Sequence, residues 1–139
     1  MEGKSAYRYL EALPHQLFVL HGSPHRFDVV EPRQASSASG ADRNLHAIYA
    51  SIAIYDPIIR AVIHGNASWE LTRGGEVRVW GSGLRLGSGY IYILPREKFQ
   101  LLANKIYLVA HEPIKPRRVI RIEPNILKHI PEIIHGLKI

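Results

Sequence analysis

Residues 17–28 read LFVLHGSPHRFD, and residues 46–51 read HAIYAS; these two stretches decide the fold. Gln16 to His21 is a short apolar run bounded by Pro14 and Gly22, which predicts a buried strand rather than a helix. Gly22 and Pro24 end it, so His21, Gly22 and Ser23 stand where a strand gives way to a loop. His46 to Ser51 predicts a second buried strand. Asp56-Pro57 then opens a helix, with Asp as N-cap and Pro at the first helical position, carrying Ile58, Ile59, Val62 and Ile63 on one face.

Working outward, Ser5 is expected to cap a short helix with Ala6, Tyr9, Leu10 and Leu13 at helical spacing, stopped by Pro14. Phe27, Val29 and Val30 are expected to fold back onto the core from a Gly/Pro-punctuated loop, and residues 34–44 predict a surface loop. Gly65-Asn66 ends the second helix. Trp69 to Thr72, Glu76 to Trp80, Tyr90 to Leu94, Ile106 to Ala110 and Arg117 to Ile122 read as strands. The Gly-rich stretch at 81–89 reads as a hairpin loop. Residues 96–104 read as a short helical segment, and Asn125 to Leu137 as a helix interrupted by Pro131. Strands and helices do not alternate strictly, so the expected class is α+β, a single domain over 1–139 with a largely antiparallel core.

Composition narrows the chemistry. The 139 residues carry a net charge of +6 and no cysteine, which excludes a disulfide scaffold, thiolate metal sites and a thiol nucleophile. No apolar run reaches a membrane span and the first residues lack a signal-peptide core, so the expected location is cytoplasmic. Heavy Ile usage with one Met fits a heat-adapted protein. The stretch at 81–89 lacks the Gly-Lys-Ser/Thr of a phosphate-binding loop. His21 and His25 are separated by Gly22 and Pro24 and have no third ligand nearby, so no metal is expected.

Two strand ends, His21-Gly22-Ser23 and Ile48-Tyr49-Ala50-Ser51, suit a nucleotide pocket. A strand-end His bonds ribose hydroxyls, a following Gly lets the backbone approach a planar amide, and a Tyr offers a flat face to a cationic ring.

The segments LFVLHGSPHRFD and AIYAS, followed by an apolar helix, resemble the ADP-ribosyltransferase fold in its branch with a His, Tyr, Glu signature. The tRNA 2′-phosphotransferases share that fold and use NAD. HGSP, EPRQA, IYAS and YIYILP together are similar to small prokaryotic proteins carrying the same run of motifs. The resemblance implies NAD as substrate, with His21 on a ribose, Gly22 on the nicotinamide carboxamide, Ser23 beside them and Tyr49 stacked on the nicotinamide ring. Arg33 would reach the pyrophosphate. The carboxylate that stabilises the oxocarbenium ion as nicotinamide leaves is expected at Glu112, before the late strand, with Glu97 and then Glu76 as substitutes. His21 and Glu112 are thus the expected catalytic pair.

Two departures are visible. The helix after IYAS carries no Tyr, leaving Tyr55 as the only candidate for a second aromatic face, and Pro113 follows Glu112 directly. Two readings stand: NAD-dependent ADP-ribosyl transfer, with a nucleic-acid acceptor on Lys115, Arg117 and Arg121, or a catalytically inactive nucleotide- or RNA-binding module of the same fold. A third is a structural partner docking through its C-terminal helix.

Overall fold

In the computed structural model the described residues are 2–34, 46–103 and 107–136. In chain order they form α1 (Gly3–Ala12), β1 (Phe18–Ser23), β2 (Arg33–Gln34), β3 (His46–Ser51), α2 (Tyr55–Val62), β4 (Ile63–Leu71) and β5 (Glu76–Leu86). Then follow β6 (Gly89–Pro95), β7 (Gln100–Leu101), β8 (Tyr107–Ala110), β9 (Arg118–Ile122) and β10 (Ile133–His135). The class is α+β with mostly antiparallel strands, as expected. The surface loop expected at 34–44 lies, beyond Gln34, outside the described residues. No helix among the described residues is long and apolar enough to cross a membrane.

The strands form a seven-stranded sheet, in order β7-β8-β3-β1-β6-β9 with β2 added on β3, and a three-stranded sheet β10-β5-β4. β1 is central because its alternate residues bury on both faces. Leu20 joins Ile91, Ile93, Ile120 and Ile122 under the two helices, while Val19 joins Ile48, Tyr92, Leu94 and Leu108 on the opposite face. The chain crossing from β8 to β9 closes that second face, with Val30 and Ile114 exchanging backbone hydrogen bonds of 2.9 Å.

α2 lies unusually close to the large sheet, and two glycines make room for it. A Cβ on Gly22 would sit 1.9 Å from the carbonyl oxygen of Pro57, and one on Gly89 2.0 Å from that of Ala61. These carbonyls are one helical turn apart, so a single helix face rests on β1 and β6.

Several sequence expectations shift. Asp56 is not an N-cap; Ile54 holds that position, and Asp56 lies buried in the first turn. α1 begins at Gly3, before Ser5. α2 ends at Val62, where β4 takes over. Residues 81–86, read as loop, extend β5, with Gly81 and Gly83 at positive φ. The segment after Pro95 is helical only over Arg96–Lys98 and then becomes β7. The C-terminal helix is replaced by a 3-10 segment, Pro124–Lys128, and strand β10, which pairs parallel to β5.

Candidate functional site

The site opens where β1 and β3 part. Their ladder registers one pair, Leu20↔Ser51, whereas β1 pairs with β6 along its full length from Phe18↔Pro95 to Ser23↔Tyr90. Continued, the first register would set Gly22 against Tyr49. Instead the Tyr49 carbonyl is met by a side chain: His21 Nδ1 lies 2.7 Å from it. A carbonyl can only accept, so Nδ1 carries the proton.

Burial pulls the His21 pKa down to about 4; the bond to Tyr49 and the Asp56 carboxylate oppose this, while the charges of Arg60 and Arg33 add to it. The ring is therefore neutral near pH 7, with its proton on Nδ1 and a lone pair on Nε2. Every fully buried side-chain nitrogen and oxygen among the described residues has a partner. Nε2, which makes no hydrogen bond there, is accordingly not fully buried. It is an acceptor aimed at nothing in the described chain, suited to a hydroxyl donor.

On the α2 side, Tyr49 meets the edge of Tyr107 at 82° with ring centroids 6.4 Å apart. Behind them lies a tightly bonded acid. Asp56 Oδ1 accepts from Trp69 Nε1 and from the Tyr107 hydroxyl, each at 2.8 Å, and Oδ2 accepts from Arg60 Nε at 3.2 Å. The Arg60 guanidinium lies 4.8 Å from the Trp69 ring centroid and 5.7 Å from that of Tyr107. Burial and the neighbouring Asp56 charge push the Tyr107 hydroxyl up to about 12, so it stays a donor. The cluster ties α2, β4 and β8 together beside Tyr49.

His21 and Tyr49, expected together, are indeed brought together, though through ring nitrogen and backbone carbonyl. The ring of His21 instead neighbours Tyr92, 5.8 Å away on the other face. Gly22 is accounted for by the approach of α2. Ser23 is buried, and its Oγ accepts the backbone N–H of His25 at 3.1 Å, which shapes the turn. Arg33 is exposed, lies 4.5 Å over the Phe27 ring, and acts electrostatically on His21. Tyr55 packs against the helix-side core, where burial and the charges of Asp56 and Glu132 push it up to about 12. The second aromatic beside Tyr49 is thus Tyr107.

The expected acids lie elsewhere. Glu112 is exposed and lines a cavity of about 800 Å³ together with Glu97, His111, Lys115 and Arg117; neither His21 nor Tyr49 lines it. Glu76 sits in the three-stranded sheet, 3.2 Å from His135 Nε2. The expected basic strand face also changes. β9 starts at Arg118, so Lys115 and Arg117 precede it, and Arg121 is engaged by Glu123 at 3.3 Å.

Sequence reasoning missed Asp56, Arg60, Trp69 and Tyr107. The i,i+4 spacing of Asp56 and Arg60 was a legible signal; the 51 residues between Asp56 and Tyr107 left none. No family model, curated protein or solved structure matches the chain.

Proposed function

We propose that the chain is an ADP-ribosyltransferase-like domain that binds NAD in the opening between β1 and β3, and that it acts as a binding module rather than a transferase. The observation that supports the reading is the neutral His21, held by Tyr49 through Nδ1 and with no hydrogen bond to Nε2 among the described residues. A ribose hydroxyl donates to that nitrogen. Arg33, which makes no ion pair among the described residues, supplies positive charge for a pyrophosphate, and Tyr49 offers a ring to the nicotinamide.

Cleavage of the nicotinamide–ribose bond asks for a carboxylate beside the developing cation. Glu112 and Glu97 face a different cavity, and the two oxygens of Asp56 are occupied by Trp69, Tyr107 and Arg60. Transfer stays as the second reading because the Asp56 carboxylate is bonded to Tyr107, whose ring meets that of Tyr49. Titration calorimetry with NAD, alongside an assay of nicotinamide release, separates the two. The expected outcome is NAD binding that His21→Ala weakens at least about tenfold, the loss of one well-placed hydrogen bond to a ligand, with nicotinamide release at the uncatalysed rate. Release above that rate, abolished by Asp56→Asn, would establish transfer instead.

A further inference from the structure

We propose that the end of the large sheet formed by the start of β1, the end of β6 and the start of β9 is a binding groove for single-stranded nucleic acid, separate from the His21 opening. The cavity of about 800 Å³ lined by Lys98, Lys115 and Arg117 adjoins a second of about 370 Å³ lined by Gln16, Leu17 and Phe18. Pro95, Glu97 and Arg117 line both, so the two lie side by side at this sheet end.

The register explains why cations gather here. Phe18 pairs with Pro95 and Ile93 with Arg118, and the backbone N–H of Arg117 donates to Ile93 at 2.8 Å. Arg96, Lys98, Lys115, Arg117 and Arg118 therefore converge on one sheet end. Among the described residues none of these five is ion-paired, in contrast to Arg26, Arg60, Arg78 and Arg121. Of these, Lys98, Lys115 and Arg117 line the groove together with Glu97 and Glu112, while Arg96 donates to the His15 carbonyl at 2.7 Å and Arg118 stacks on Tyr9, so the lining carries a small net positive charge.

The groove also has apolar surface. Leu17 is 60% exposed, Phe18 is half-buried, and Pro95 and Arg117 connect them to the wider cavity. Beside it the Arg118 guanidinium lies 4.7 Å over the ring of Tyr9. Cations along a groove with apolar and aromatic surface match a strand whose phosphates track the charges and whose bases rest on flat side chains. A carboxylate peptide would satisfy the charges but leave that surface unused. Phe18 and His21 are three residues apart on β1, about 10 Å along a strand, so this groove and the His21 opening are distinct.

The test is fluorescence anisotropy of the whole chain with a labelled oligouridylate of about 12 nucleotides, at rising salt. Engagement of the three lining cations predicts that log affinity falls with log salt at a slope of about −2. The Lys115→Glu/Arg117→Glu double variant should lose affinity by on the order of 30-fold. Arg121→Glu, whose arginine is already paired, should change it by less than about threefold, and the melting temperature of both should match the parent. His21→Ala should leave oligouridylate binding untouched, which keeps the outcome independent of the NAD reading. No binding at low salt would overturn the proposal. So would an Arg121→Glu loss equal to that of the double variant, or equal affinity for a polyglutamate of similar length.

Discussion

His21 shows how a single residue's surroundings set its chemistry. Its folded pKa of about 4 lies below the ordinary 6.5, chiefly through burial. The unfolded chain therefore binds a proton that the folded chain refuses. Stability is complete above pH 6.5 and declines as pH falls toward 4, by at most about 3 kcal/mol across the window. Urea unfolding at several pH values should show this decline, and His21→Gln should remove it. Asp56 makes the second residue-scale prediction. Removing its carboxylate strands the Trp69 and Tyr107 donors and leaves Arg60 uncompensated, so Asp56→Ala should cost about 3 kcal/mol in urea unfolding. A cost under about 1 kcal/mol would show that the cluster is dispensable. His21 was legible because a polar residue ended an apolar run before Gly22. Asp56 was misread as a cap because Asp-Pro is a common helix start, and its real partners come from distant strands.

At the scale of elements, the close seat of α2 is what holds the cluster against Tyr49. A methyl group at Gly22 or Gly89 meets helix backbone at about 2 Å, and backbone cannot swing aside as a flexible side chain would. Gly22→Ala should lower stability by about 2–3 kcal/mol in thermal unfolding, and the same is expected of Gly89→Ala. Unchanged melting in both variants would show that α2 shifts freely. The strands around β1 were legible from short apolar runs bounded by Gly and Pro. The C-terminal segment was not. Ile126, Ile130, Ile133 and Ile134 fit helical spacing, yet Pro131 cannot donate within a helix, and the β-branched residues beyond it pair with β5 instead. Gly81 and Gly83 misled in the opposite sense, since glycines inside a strand also mark irregular pairing: the β4–β5 register shifts between His64 and Asn66.

For the whole molecule, the net charge of +6 resolves into two regions of different character. Arg33 acts on a neutral histidine, whereas Lys98, Lys115 and Arg117 line the groove and make no ion pair among the described residues. Salt should therefore separate the two activities. NAD affinity should fall only mildly between low and physiological salt, and oligonucleotide affinity steeply. Parallel salt dependence would mean that both ligands use one surface. Absence of cysteine, visible at once in the sequence, removes thiol chemistry, and the carboxylates of the expected site line a cavity that His21 does not. The most direct test of the central claim is calorimetric titration of NAD into the parent and His21→Ala proteins from pH 6 to 8. The parent should bind at a level affinity across that range, because His21 is neutral throughout, and the variant should lose at least about tenfold. Equal affinity in the two proteins, or a step in affinity near pH 6.5 that His21→Ala abolishes, would contradict it.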